Sequence, residues 1–146
     1  MDFKRIDKKI TQWLRHHGVR TLRFSIAVIF IWFGALKIFS VSPAGELVAR
    51  TVYWVNPSWF VPLLGVWEVT IGVCFLFRPL LRLGIALLAP QMLGTFLPLI
   101  ILQHVVFQNG HFLIPTLEGQ YIIKNLIIIS AAMVVGATVR KQDENI

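Results

Sequence analysis

Four long apolar runs dominate the chain, and short polar segments separate them. The runs cover about residues 22–39, 60–77, 83–107 and 119–139. Each is close to the roughly 20 residues that a helix needs to cross a bilayer. Too little polar sequence remains between them to coat the surface of a soluble bundle. The pattern therefore predicts an all-α integral membrane protein with four transmembrane helices in an antiparallel bundle.

Residues 1–20 have a different pattern, which is typical of a helix lying on a membrane surface. Apolar side chains recur at helical spacing from Phe3 to Leu14, and lysines and arginines occupy the other face. Gly18 is expected to end this helix before the first span begins. We interpret the segment as a basic amphipathic helix, with a frayed basic tail as the alternative. In both cases it should lie against anionic lipid.

The connecting segments carry structural signals of their own. Between the first two spans, residues 44–55 predict a short interfacial helix that Pro57 would end. In the third span, Pro90 and Pro98 predict kinks, because each proline removes one backbone hydrogen bond.

The basic residues favour one orientation. Charged residues are 14% of the chain against 56% hydrophobic, and the net charge is +7. The cations gather before the first span, in the turn at Arg78 and Arg82, and in a polar tail at 140–146, whereas the opposite side carries only Arg50. By the positive-inside rule, both termini are predicted to be cytoplasmic. Because these cations flank the spans, they report topology, and we expect no nucleic-acid partner.

Charged side chains inside the apolar runs are the main functional candidates. Lys37, Glu68 and Lys124 lie in the first, second and fourth runs. A charge at the bilayer centre costs roughly 2.5–3.5 kcal/mol even on a lenient insertion scale, so each should face protein or water. All three are expected in the outer half of the membrane, with Glu68 roughly 12 Å below the outer end of its span.

The helical faces on which these charged residues lie favour contact between them. Glu68 shares a stripe with Gly65 and Gly72, and Lys37 shares one with Gly34. Small residues on such faces allow helices to approach closely. We therefore expect the three charges to form one buried polar cluster.

The predicted cluster has two interpretations. It is either a buried ion pair that fixes helix packing, or the lining of an outward-facing cavity that binds a small ligand or relays protons. Two cations against one carboxylate would favour an anion or an anionic head group. The further candidate site residues are Asn125, Gln120 and Glu118, and the secondary candidates are His104, His111 and Gln91.

Other chemistries find little support in the sequence. A metal site needs three or four ligands in fixed geometry, and two histidines flanking one loop do not specify it, so no metal site is predicted. Cys74 is the one cysteine, which excludes an intramolecular disulfide and a self-contained dithiol mechanism. The chain has no nucleotide-binding loop, haem motif or iron–sulfur cysteine set, so no cofactor is identifiable from a motif.

Three segments carry a resemblance to a known family. They are Trp-Phe-Gly-Ala-Leu-Lys at 32–37, Gly-Val-Trp-Glu-Val-Thr-Ile-Gly at 65–72 and Leu-Glu-Gly-Gln-Tyr-Ile-Ile-Lys-Asn at 117–125. With them, residues 22–139 resemble the DoxX-like superfamily of small four-span bacterial membrane proteins, and within it the YkgB-type branch. The resemblance implies a four-helix bundle in the bacterial inner membrane, associated with redox and oxidative-stress physiology.

The resemblance also implies a supporting role. DoxX-type members are membrane partners of oxidoreductases, and a DoxD-type relative belongs to a thiosulfate:quinone oxidoreductase. This chain departs from a redox enzyme in having no dithiol, so we do not expect an oxidoreductase activity of its own. Lys37, Glu68 and Lys124 are the matched positions that the resemblance makes functionally interesting.

The resulting expectation is a small multi-pass inner-membrane accessory protein. It would bind a lipophilic or anionic small molecule, with a quinone as the obvious candidate, and support an oxidoreductase partner. One alternative is a transporter or pore for an anionic solute, with the kinked third helix as its moving element. A structural anchor for a partner protein is another. A homo-oligomer stays open, because the stripe of Ala132 and Gly136 suits either the bundle or a dimer.

Overall fold

The computed structural model describes residues 3–139, and its regular structure is helical. The α-helices cover Phe3–Ile38 (α1), Gly45–Thr51 (α2), Pro57–Leu76 (α3), Leu81–Phe96 (α4), Pro98–Ile101 (α5), Gln103–Val106 (α6), Leu117–Ile123 (α7) and Asn125–Ala137 (α8). Within the described range, β pairing is limited to an isolated bridge between Phe107 and Pro115. The polar tail predicted at 140–146 lies outside the described residues.

Four helical stretches are long and apolar enough to cross a membrane. They are Phe3–Ile38, Pro57–Leu76, Arg78–Ile101 and Leu117–Ala137. The predictions of an all-helical fold and of four helices long and apolar enough to span a membrane are thereby confirmed. This composition and length indicate a multi-pass membrane protein.

Helix α1 is longer than the sequence pattern predicted. It continues without a break through Gly18, so the prediction that Gly18 ends a separate surface helix is wrong. An isolated glycine inside a helix costs only about 1 kcal/mol relative to alanine, and the helix formers on both sides outweigh it. The amphipathic segment is therefore the first half of α1, and its apolar residues from Phe3 to Leu14 are exposed.

The connector between the first two spans also differs from the prediction. Helix α2 ends at Thr51, and Pro57 begins α3 where it was expected to end the preceding helix. The side chain of Asn56 caps α3 by accepting a hydrogen bond of 3.0 Å from the backbone N–H of Ser58. Proline suits the first helical position, because its missing N–H would have no partner there.

The two prolines of the third span behave differently from each other. Pro90 lies inside α4, whereas Pro98 follows the end of α4 and opens the short helix α5. The predicted span at 83–107 is consequently divided into α4, α5 and α6. A comparable division occurs in the fourth span, where α7 and α8 join at Lys124.

The long helices pack in a closed circuit. α1 contacts α3, α3 contacts α4, α4 contacts α8, and α8 returns to α1. Their shared core is apolar, and its most deeply buried side chains come from three helices: Ala27 of α1, Ile71 and Phe75 of α3, and Val135 of α8. A single core therefore joins the four span-length stretches.

The tightest of these contacts joins α1 to α3. A Cβ added at Gly65 would lie 2.5 Å from the carbonyl oxygen of Gly34, and one added at Gly72 would lie 2.8 Å from that of Ala27. The two backbones touch at these positions, which only a missing side chain permits. The predicted close approach along the stripe of Gly65 and Gly72 is confirmed.

Replacing Gly65 by alanine should separate α1 from α3. We expect Gly65→Ala to lower the free energy of unfolding by about 1–3 kcal/mol, because the added methyl group has no room. Gly94→Ala is the matched control, since a Cβ there meets nothing within 4 Å. Thermal unfolding of both variants in detergent micelles measures the difference. Equal melting temperatures for the two variants would contradict the close contact.

Candidate functional site

The carboxylate of Glu68 is the centre of a buried polar cluster. Its Oε2 accepts a hydrogen bond of 2.6 Å from the Nζ of Lys37, and the same contact is an ion pair. Its Oε1 accepts a hydrogen bond of 2.7 Å from the Nε2 of Gln91. The two oxygens of one side chain thus bind two different helices.

Each member of this Lys37–Glu68–Gln91 cluster comes from a different span. Lys37 lies in the last turn of α1, Glu68 in the middle of α3, and Gln91 in the second half of α4 directly after Pro90. The backbones of α1 and α3 touch at Gly34 and Gly65. Gly34 precedes Lys37 by about one turn of α1, and Gly65 precedes Glu68 by about one turn of α3. The glycines therefore bring α1 near enough to α3 for the ammonium to reach the carboxylate.

Other polar contacts hold α4 in place beside the cluster. The indole Nε1 of Trp67 donates a hydrogen bond of 3.2 Å to the carbonyl oxygen of Leu87, which ties α3 to α4. Within α4, the hydroxyl of Thr95 donates a hydrogen bond of 2.9 Å to the carbonyl oxygen of Gln91. The Trp67 contact thus holds α4 beside α3, and the Thr95 contact lies within α4 at Gln91.

The cluster is nearly closed to the surroundings and is balanced in charge. Lys37 and Glu68 are each 7% exposed and Gln91 is 8% exposed. Among the described residues, no fully buried side-chain nitrogen or oxygen lacks a hydrogen-bond partner. One ammonium opposes one carboxylate, and the amide is neutral. With Lys37 and Glu68 both ionised, the cluster carries no net charge.

Lys124 does not belong to this cluster, and the prediction that it meets Glu68 is wrong. Its side chain is exposed, and its ammonium lies over the ring of Tyr121, 5.0 Å from the ring centroid. The junction between α7 and α8 falls at Lys124, about two turns into the span Leu117–Ala137. A long side chain near a helix end can extend its charge toward the interface, and a cation over an aromatic face is stabilised there.

The remaining candidates are spread along the first part of the fourth span and the loop that precedes it. Glu118 and Gln120 are exposed on α7, and His104 and His111 are exposed on the preceding segment. Asn125 donates a hydrogen bond of 3.2 Å to the backbone carbonyl oxygen of Tyr121, one turn away. Within residues 3–139, no group of three or more histidine, cysteine or acidic side chains is placed to hold a metal ion.

Gln91 is the cluster member that sequence reasoning ranked too low. It was a secondary candidate, although it is the one amide in the uncharged stretch at 83–102. A polar side chain in the middle of a span needs a partner for the same reason as a charged one. The lone amide in an otherwise apolar span is therefore the signal that identifies Gln91.

The chain was compared with known families, proteins and structures. No protein-family model, no curated protein and no solved structure matches the chain.

Removing one charge of the ion pair should be far more harmful than removing both. We expect Lys37→Met and Glu68→Gln each to lower the free energy of unfolding by about 3–5 kcal/mol, because each leaves an uncompensated buried charge. The double variant Lys37→Met/Glu68→Gln should recover most of that loss. Unfolding in mixed micelles, analysed as a double-mutant cycle, measures the coupling.

Lys124→Met provides the control for this cycle. Because Lys124 is exposed and lies away from the cluster, its replacement should change the free energy of unfolding by at most about 0.5 kcal/mol. A double variant whose loss equals the sum of the two single losses would contradict a buried, coupled pair.

Proposed function

We propose that this chain is a small inner-membrane accessory protein of the DoxX-like type. In this proposal, the Lys37–Glu68–Gln91 cluster binds the polar head of a small lipophilic molecule of the quinone class. The protein holds that molecule for a redox partner and is not an oxidoreductase by itself. The observation that carries the proposal is the hydrogen-bonded polar cluster shared by three helices of an otherwise apolar bundle.

The cluster has hydrogen-bonding capacity beyond the two bonds it makes. An ammonium has three donors, and an amide has two donors and one acceptor oxygen. Within the described residues, Lys37 and Gln91 each donate one side-chain hydrogen bond, both of them to Glu68. Donors therefore remain for a ligand carbonyl, and the amide oxygen of Gln91 remains for a ligand hydroxyl. A quinone offers the first group, and its reduced form offers the second.

The charge balance of the cluster favours a neutral ligand. The sequence-based expectation of an anion depended on Lys124 as a second cation, and Lys124 lies elsewhere. With one ammonium against one carboxylate, an added anion would meet no net positive charge. A neutral molecule with polar oxygens fits this environment better.

A route from the lipid is provided by the surface of α4. Gly94 lies about one turn beyond Gln91, is exposed, and has open space where its side chain would be. On a membrane-spanning helix, such a position forms a shallow notch on the lipid side. The notch would admit the head group of a lipophilic molecule toward Gln91 without separating α1 from α3.

Quinone binding can be measured through tryptophan fluorescence. Trp67 precedes Glu68 on α3 and is held against α4, so a quinone beside Gln91 should quench it. We expect saturable quenching when a short-chain ubiquinone is titrated into the purified protein. Gln91→Leu should weaken the apparent affinity by roughly tenfold, the equivalent of one hydrogen bond.

The control variant for quinone binding is Gln103→Leu, which removes an exposed amide from α6. It should bind as the unmodified protein does. Each variant is titrated after its melting temperature is shown to lie above the assay temperature, so that unfolding does not imitate lost binding. Quenching that rises linearly with quinone, or that is the same in folded Gln91→Leu, would overturn the proposal and leave the cluster as a packing device.

We also propose an antiparallel arrangement with both termini in the cytoplasm. The support is the short connection between α3 and α4, a single 3₁₀ turn at Arg78–Leu80, because short connections join antiparallel neighbours. The basic residues of α1 and of this turn then lie on the cytoplasmic side.

A pair of topology reporters tests this orientation. Green fluorescent protein fused after Ile146 should fluoresce, because it folds in the cytoplasm. Alkaline phosphatase inserted after Gly110, in the loop between α6 and α7, should be active, because it needs the oxidising periplasm. A dark fluorescent protein together with an inactive phosphatase would reverse the orientation. One active reporter with the other silent would place both sites on the same side and contradict a crossing between them.

A further inference from the structure

A second polar region lies far along the bundle from Glu68. It is an open cleft of about 580 Å³ bounded by the first half of α1, the turn between α3 and α4, and the end of the fourth span. Along α1, Arg23 and Lys37 are fourteen residues apart, about 21 Å of helix. The cleft is therefore separate from the Lys37–Glu68–Gln91 cluster, and nothing inferred about it depends on the proposed function.

Among residues 3–139, the ionisable side chains that line the cleft are all basic. They are Arg15, Arg20, Arg23, Arg78, Arg82 and His16, and no aspartate or glutamate of this range lines it. Arg20 and Arg78 both lie within electrostatic range of the half-buried Arg23. Like charges gathered in one concavity repel each other, so an anion bound among them would be strongly favoured.

The cleft also has an apolar wall. Val19 of α1, Leu81 at the start of α4 and Val139 after α8 all line it. Leu81 is part of the buried core, and Val19 and Val139 pack against that core. The cleft therefore offers guanidinium groups next to hydrocarbon surface. A ligand that complements it has a negative head and an apolar body.

We propose that this cleft binds the phosphate head group of an anionic phospholipid. Guanidinium groups bind phosphate oxygens through paired, charge-assisted hydrogen bonds. The cleft lies beside the end of α3, the start of α4 and the end of α8. The head groups of a bilayer are found at the ends of its spans, and basic pockets between spans at this level suit lipids with several negative charges. A lipid that carries two phosphates, such as cardiolipin, matches an arrangement of several arginines on two sides of one cleft.

The test measures how lipids shift the melting temperature of the full chain in detergent micelles. Cardiolipin, phosphatidylglycerol and phosphatidylcholine are the lipid probes, and inorganic phosphate and pyrophosphate are the soluble ones. We expect the largest stabilisation with cardiolipin, less with phosphatidylglycerol and none beyond the detergent blank with phosphatidylcholine. Stabilisation by pyrophosphate equal to that by cardiolipin would overturn the lipid as the source of the phosphate.

Two double variants, each lacking two positive charges, distinguish binding in the cleft from nonspecific attraction to a basic protein. Arg23→Gln/Arg78→Gln removes two cations of the cleft, and Lys8→Gln/Lys9→Gln removes two exposed cations of α1 that do not line it. The first should weaken cardiolipin binding by roughly tenfold or more, as loss of charge-assisted hydrogen bonds requires. The second should weaken it by at most about twofold, because Lys8 and Lys9 lie outside the cleft and act on a head group there only through screened, longer-range attraction.

Folding of the variants is checked without lipid. Since Arg23→Gln/Arg78→Gln relieves repulsion between like charges, its melting temperature in detergent alone should equal or exceed that of the unmodified protein. Weaker binding in this variant would then report the site itself. An equal loss in both double variants, or tighter binding of a duplex oligonucleotide than of cardiolipin, would overturn the proposal.

Discussion

The hydrogen bonds from Lys37 and Gln91 to the two oxygens of Glu68 govern the arrangement of the first three spans. In water, a carboxylate would be satisfied by any solvent molecule, but inside an apolar bundle it depends on partners from the protein. Both of its partners come from other helices. The register of α1 and α4 relative to α3 is therefore set by one side chain. A slip of either helix by one turn would leave a buried charge without a partner.

The contact between Lys37 and Glu68 depends in turn on glycines, which have no side chain to hold the two helices apart. Gly34 and Gly65 let the backbones of α1 and α3 touch, and Gly72 continues the same contact about two turns further along α3. Lipid chains are as apolar as leucine, so helices in a membrane gain little from burying leucines against each other. Close packing and buried hydrogen bonds take over this role. The α1–α3 interface contains both, which is consistent with its being the closest contact among the long helices.

The sequence predicted this interface because both of its ingredients follow from helical periodicity. Gly65, Glu68 and Gly72 share one face of a helix whatever its neighbours are, and the burial of a charge is demanded by the surrounding hydrocarbon. Lys124 could not be placed in the same way, since a long side chain about two turns into a span can extend its charge along its own helix. Its ammonium lies over the ring of Tyr121, and its side chain is exposed. Helix boundaries were equally hard to predict at Gly18, Pro57 and Pro98. Each of these residues is tolerated at more than one helical position, so its neighbours decide whether a helix begins, ends or continues there.

The unbroken course of α1 has a geometric consequence. A helix of 36 residues is about 54 Å long, whereas the hydrocarbon core is about 30 Å thick. With no interruption, the rotational phase of its first turns is locked to that of its last. At about 100° per residue, Ile10 falls on the side of the helix opposite to Lys37. The exposed apolar stripe of the first turns therefore always faces away from α3 as long as the helix stays intact.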